Sequence, residues 1–369
     1  MEELTVRLPG RVYPQRVRLE GGAVTELARA DSPAEGLWLT RGLVDIQVNG
    51  YQGVLITSPE LSLEGLEHLE NELYKQGVTC WCPTVTTNEP SLIREVLGKL
   101  NLALQKKVLR RVHCIHTEAN WLSAEEGFRG AHIPRYMSDP SLEEFNSWQA
   151  AAGGHIGYVS LAPERKGALE FTRALAGQGV LVALAHHNAD YDTVVAAALA
   201  GARLSTHLFN GCAAVVPRHN NPIFAQLAED RLWASFIPDG HHIPYHVLKT
   251  GLRAKGLARS VFTSDLVYLG GKPDGEYTKG ERTVQVRDGG VFMPGTGLLS
   301  GAWRSLAQGV DRAVAFGAVS ADQALRLSSL NPAELLGVSG GNQVAPGAGG
   351  PFVLFRETQG GLRLERIID

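Results

Sequence analysis

Histidines and carboxylates recur at the ends of apolar runs in this chain. His116-Thr117-Glu118 closes one run, His186-His187-Asn188 another, and His207 stands inside Thr206-His207-Leu208-Phe209-Asn210. Asp239-Gly240-His241-His242 and Asp265 close two more. A single imidazole at a strand end is commonly a satisfied rim group. Several converging on one face are hard to explain structurally, because unpaired buried polar groups are costly. One carboxylate and two imidazoles hold a zinc-like divalent ion and leave positions open for water and substrate. Glu118, His186 and His207 are that set. Asp265 is then free as general base, taking a proton from the attacking water and later giving it to the leaving group. The plain alternative for Asp265, in Thr263-Ser264-Asp265, is a helix cap.

These residues need a scaffold that brings strand ends together. Apolar runs over 43–48, 78–85, 112–117, 156–161, 180–185, 203–206, 232–237 and 260–263 read as eight strands. Between them lie segments with helical spacing, such as Leu63, Leu66, Leu69 and Leu73 before the stop at Gly77. Further helical segments are expected over 92–104, from Ser141, and over 168–176, 192–199 and 245–255. Alternation of this kind predicts an α/β fold, a (β/α)8 TIM-type barrel whose chemistry sits at the C-terminal rim. Residues 300–337 read as helices packed outside it. Both chain ends alternate apolar and polar residues around Gly21-Gly22 and Gly360-Gly361, which predicts a small β-sandwich domain assembled from the two termini. The expected boundaries are 1–42 and 345–369 for that domain and 43–344 for the barrel.

A chain of 369 residues accommodates one barrel, which takes about 250 residues, and one accessory domain. With 35 basic against 38 acidic side chains the net charge is −3, which excludes a nucleic-acid binder held by a basic surface. No apolar run approaches the length of a membrane span, and the start of the chain has no signal-peptide pattern, so a cytoplasmic enzyme without a membrane partner is expected. Cys80, Cys82, Cys114 and Cys212 lack a zinc-ribbon spacing and read as reduced, buried structural thiols.

Short motifs then add to the pattern: Gly42-Leu43-Val44-Asp45-Ile46-Gln47-Val48-Asn49-Gly50, Leu161-Ala162-Pro163-Glu164, His186-His187-Asn188-Ala189, Thr206-His207-Leu208-Phe209-Asn210, Asp239-Gly240-His241-His242, Leu299-Ser300-Gly301 and Asn331-Pro332-Ala333. In this order and spacing the chain resembles the N-acetylglucosamine-6-phosphate deacetylases of the amidohydrolase superfamily over nearly its whole length. The resemblance implies metal-dependent removal of acetyl from N-acetylglucosamine 6-phosphate, giving acetate and glucosamine 6-phosphate in amino-sugar catabolism. Many amidohydrolases carry His-x-His after the first strand and hold two metals. Gln47 and Asn49 stand at those positions here, as in some members of this family, so one divalent ion is expected. Its ligands suit zinc, and also iron, manganese or cobalt.

The remaining roles are implied by the resemblance alone. His132 matches the histidine that contacts the acetyl carbonyl and stabilises the developing oxyanion. Asn210 and the backbone of Gly211 match the phosphate site. Arg218 suits the family's phosphate-binding arginine, which reaches the site from a neighbouring subunit and implies a homodimer. His242 matches a histidine that contacts the sugar phosphate, while His187 and His241 only line the rim. The metal and base positions survive, but substrate-facing neighbours depart, as in Glu118-Ala119-Asn120, Asn210-Gly211-Cys212 and Arg218-His219-Asn220-Asn221. Two alternatives therefore stay open: an amidohydrolase for another N-acyl amino sugar, and a catalytically silent sugar-phosphate binder.

Overall fold

The computed structural model describes residues 1–279, 282–295 and 297–369. Eight strands, Leu43–Val48, Val78–Thr86, Ile115–Glu118, Ile156–Leu161, Leu181–Leu184, Leu204–Ser205, Trp233–Phe236 and Ser260–Phe262, pair in parallel in chain order. All six residues of the first are buried, as strands covered on both faces require. The first and eighth strands close the barrel at its C-terminal rim. There Val48 bridges Leu266, the Asp265 N–H donates to the Gln47 carbonyl at 3.0 Å, and the Asn49 N–H donates to that of Leu266 at 2.8 Å. Just below, the buried Asp45 carboxylate accepts from the Thr263 hydroxyl at 2.9 Å and the Ser264 N–H at 3.0 Å.

Each crossover helix forms for local reasons and buries one stripe. Ser62 caps Leu63–Lys75 by accepting the Gly65 N–H, and Leu66, Leu69 and Leu73 lie fully buried on the face toward the strands. Burying each such side chain contributes about 1.5–3 kcal/mol. The helix stops at Gly77, whose φ of +78° suits glycine. Helices Pro90–Gln105, Leu142–Ala151, Ala168–Gly177, Tyr191–Ala200, Pro222–Ala228 and Tyr245–Lys255 complete the ring. The segment expected to be helical over 300–337 contains Leu306–Ala315, Ala321–Leu325 and Asn331–Leu336, the last two joined by a π-turn.

The chain termini pack as a sandwich of two three-stranded antiparallel sheets. One is Glu2–Val6, Gln15–Glu20 and Ala23–Arg29; the other is Leu37–Thr40, Phe352–Thr358 and Gly361–Ile368. Val6, Val17, Leu19, Leu39, Phe352 and Leu354 form the core between them. The sequence reading did not include a further antiparallel meander, Gly275–Lys279, Arg282–Arg287 and Gly290–Phe292, which follows the eighth strand. Its signal was present in the alternation Val284-Gln285-Val286-Arg287 and the turn at Asp288-Gly289.

Candidate active site

A cavity of about 390 Å³ opens at the C-terminal rim. Glu118, His132, His186, His207, Asn210, Gly211, His242 and Asp265 all line it, together with Val284 and Val291 of the meander. Arg218 does not line it; it is exposed on the loop that follows. His187 and His241 also lie outside its lining. His187 is buried and accepts the Ala189 N–H, while His241 sits edge-on to Phe292.

Glu118, His186 and His207 bring one ligand atom each within 4.8 Å of one another, and all three are buried. Glu118 Oε1 lies 3.0 Å from His207 Nε2 and 3.7 Å from His186 Nε2. His186 Nδ1 bonds the Phe128 carbonyl at 2.9 Å, which places its proton there and leaves Nε2 as a lone-pair donor. Burial pushes Glu118 up to about 7 and His186 down to about 4. The cluster alone thus resists carrying charge, and a cation between the three donors reverses that pressure on the carboxylate. A carboxylate with two neutral imidazoles fits a divalent ion with open positions.

The backbone is strained where the chemistry gathers. His186, His207 and Asp265 have φ of +47°, +31° and +55°. Such conformations cost roughly 1–3 kcal/mol each and persist where the surroundings over-determine them. Two glycines also press on the His186 ring. A Cβ on Gly211 would lie 2.5 Å from its Nδ1, and one on Gly130 would lie 2.8 Å from its Cε1. Gly211→Ala should therefore displace the ring, lowering bound metal and activity together by about tenfold or more. Metal analysis of the purified variant checks this; full metal content would refute it.

Asp265 is held by two amides. Asn49 Nδ2 donates to its Oδ1 at 2.6 Å, and Gln47 Nε2 donates to the same oxygen at 3.1 Å and to Glu118 Oε2 at 2.9 Å. Gln47 and Asn49, at the positions where the resemblance points to a histidine pair in many amidohydrolases, turn their N–H groups to the carboxylates and serve as donors. Burial, reinforced by Glu118 and opposed by His207, pushes Asp265 up to about 6. His132 Nε2 is 4.0 Å from Glu118 Oε2. Its Nδ1 meets the Thr87 hydroxyl at 2.8 Å, and that hydroxyl donates to the Ala119 carbonyl at 2.6 Å. With its own proton committed, Thr87 accepts from His132 Nδ1–H. Thr87 was not singled out in the sequence, since a threonine after a strand carries no signal of such a role.

The thiols differ in part from expectation. All four cysteines are free, but only Cys82 is buried, and Cys212 lines the cavity. Among the described residues no helix is long and apolar enough to cross a membrane.

No family model matches the sequence. Individual proteins do. The chain is 32% identical to the N-acetylglucosamine-6-phosphate deacetylase of Bos taurus over 351 residues, covering 91% of this chain and 83% of that protein. It is 31% identical to the N-acetylgalactosamine-6-phosphate deacetylase of Escherichia coli O157:H7, covering 80% and 78%. Among solved structures, N-acetyl-D-glucosamine-6-phosphate deacetylase from Mycobacterium smegmatis superimposes with a TM-score of 0.84 at 25% identity, covering 97% of this chain and 98% of that one. Shared sequence over most of both chains, a shared barrel and a carboxylate–imidazole cluster at its rim lead to one conclusion: the chain belongs to the N-acetylglucosamine-6-phosphate deacetylase family.

Proposed function

We propose that the protein hydrolyses the acetamide of N-acetylglucosamine 6-phosphate to acetate and glucosamine 6-phosphate. The observation that carries this reading is the convergence of Glu118, His186, His207 and Asp265 on one face of the rim cavity. Glu118, His186 and His207 would hold a single divalent ion, zinc first among the metals such ligands suit, and bound there it would supply positive charge to activate water and polarise the acetyl carbonyl. Gln47 and Asn49 offer N–H groups rather than lone pairs, which supports one ion rather than two.

The chain's own residues do the rest. Asn49 and Gln47 occupy Oδ1 of Asp265, so Oδ2 is the atom left to take the proton from the attacking water. As the C–N bond breaks, the same carboxyl returns that proton to the amine nitrogen. His132 donates Nδ1–H to Thr87 and turns Nε2 to the acetyl oxygen, where it stabilises the developing negative charge in the imidazolium form, as an Nε2–H donor.

Among the described residues lining the cavity there is no lysine or arginine. The exposed position of Arg218 suits delivery to the phosphate of a second copy, which supports a homodimer. Arg218→Ala is then expected to raise KM for the phosphorylated sugar by about tenfold or more while kcat stays within a few-fold. Steady-state kinetics checks it; an unchanged KM would remove Arg218 from the site. Free thiols fit a cytoplasmic setting.

A second reading is favoured by the similarity to the N-acetylgalactosamine-6-phosphate enzyme: the 4-epimer is the substrate. Acetate release decides between them, measured with and without added divalent metal, on both phosphorylated epimers and on unphosphorylated N-acetylglucosamine. Metal-dependent release from the gluco epimer above the others is the expected result. Faster release from the galacto epimer would move the substrate, and none from either, with metal bound, would overturn both readings.

A further inference from the structure

His242 is the other imidazole on the cavity wall that is free of the metal cluster and the Thr87 anchor. It does not stand alone. Its Nδ1 lies 2.8 Å from Oδ2 of the buried Asp239. The second oxygen of that carboxylate accepts the backbone N–H groups of His241 and His242, at 2.9 Å each. Asp239 is thus fully used by one turn of chain, and nothing in the acyl-transfer chemistry above employs it. A carboxylate is an acceptor only, so the proton between the two groups sits on His242 Nδ1. Nε2 is the atom that remains for the cavity, which His242 lines.

The surroundings decide what Nε2 can offer. Burial opposes a charge on the ring, but Asp239 outweighs it and its affinity for a second proton ends above the ordinary value. Asp265, facing it from the end of the eighth strand, acts in the same direction. A proton on His242 in turn disfavours one on the neighbouring imidazoles His207 and His241, and Arg304 reaches the Asp239 carbonyl from the segment after the meander. No other lining side chain among the described residues supplies a cation except the imidazoles already assigned.

We propose that Asp239 is a positioning residue for anion recognition: it fixes the proton on Nδ1 of His242 and holds the ring so that Nε2 presents a charged donor to the phosphate of the bound sugar. This rests on the phosphorylated-substrate reading above. The phosphate contacts of His242, Asn210, Gly211 and Arg218 are those the family resemblance implies; the structure adds Asp239 behind His242. The geometry makes Asp239→Asn a narrow change. The amide oxygen can still accept the two backbone N–H groups, but the amide nitrogen then faces Nδ1 as a donor. The ring must turn its lone pair to that nitrogen, which removes the doubly protonated form.

The experiment uses the metal-loaded protein and two probes that cannot be deacetylated, glucose 6-phosphate and glucose, titrated by calorimetry between pH 6 and 8. The wild type is expected to prefer glucose 6-phosphate, more strongly at the lower pH. Asp239→Asn is expected to weaken glucose 6-phosphate by about tenfold and flatten its pH dependence, with glucose unchanged. In kinetics with the deacetylation substrate the loss should fall on KM, with kcat nearly intact. Equal weakening of both probes would mean a merely structural role and would overturn the proposal, as would unchanged discrimination. A wild type without preference for the phosphate would refute the phosphorylated-substrate reading first, and this proposal with it. Should the variant fail to fold, nitrogen-15 imidazole spectra of the wild type take its place. They should show a protonated Nδ1 and an Nε2 signal that moves with glucose 6-phosphate; an Nδ1 without its proton would overturn the assignment.

Discussion

Asp265→Asn should abolish turnover while leaving the protein folded and loaded with metal. The substitution is nearly isosteric. An amide oxygen at the Oδ1 position can still accept from Asn49 and Gln47, so the side chain keeps its place at 2.6 and 3.1 Å from them. What disappears is the acceptor at Oδ2, the atom assigned to the proton of the attacking water. General acid–base catalysis is worth about 10²–10⁴-fold, and here one carboxyl serves both halves of the reaction, so a loss in kcat of about 10³-fold or more is expected. KM should change little, because the grip on the sugar lies elsewhere in the cavity. Steady-state kinetics, metal analysis and a melting curve on the same sample test the claim. Near-normal kcat with metal bound would mean that another group accepts the proton.

The second large effect concerns Glu118. Its two oxygens face His207, His186, Gln47 and His132, with nothing but donors or ligands around them. Glu118→Gln replaces one oxygen with an N–H that must point at Gln47 or at an imidazole lone pair. Affinity for a divalent ion should drop by at least about tenfold to a hundredfold, the scale seen even for lost supporting contacts to metal ligands. Activity should fall with occupancy and return only partly at high metal. Stability gives a separate readout. An ion at a hundred times its dissociation constant stabilises the wild type by about 2.7 kcal/mol, which a chelator removes. At the same ion concentration a site weakened tenfold to a hundredfold keeps only about 1.4 to 0.4 kcal/mol of that stabilisation, so chelator and added ion should separate the variant's melting temperatures by at most about half the wild-type shift. A variant that keeps the full wild-type shift with zinc would place the ion on other ligands.

Much of this arrangement is legible before any coordinates. The barrel strands are short apolar runs buried on both faces, and the chain alternates them with helical stripes such as Leu66, Leu69 and Leu73. Polar residues at the C-terminal ends of such runs stand out against their apolar surroundings, which is why Glu118, His186, His207 and Asp265 could be found from type and place. Other features depend on relations that residue type does not encode. Thr87 matters through a hydrogen bond to a ring on a distant loop. Gln47 and Asn49 read as a departure from a histidine pair, and only geometry reveals them as donors to Asp265. The meander was missed because its strands are short, carry Gly275, Gly290 and several charges, and fall between the eighth barrel strand and the helices expected from residue 300, where no element was expected.

The seam between the first and last barrel strands carries a consequence for how this enzyme is made. Gln47 and Asp265 are 218 residues apart, and so are Asp45 and Thr263. The contacts that zip the seam are the same ones that orient the reacting carboxylate. A nascent chain can complete its metal ligands once His207 has emerged, yet it cannot assemble its base until the eighth strand returns to the first. Contacts of such long range are late events in folding, because a large loop must close before they are rewarded. On the proposed roles, catalytic competence would therefore report on completion: a barrel opened at this edge would separate Asp265 from Asn49 and Gln47, which hold its carboxylate in place.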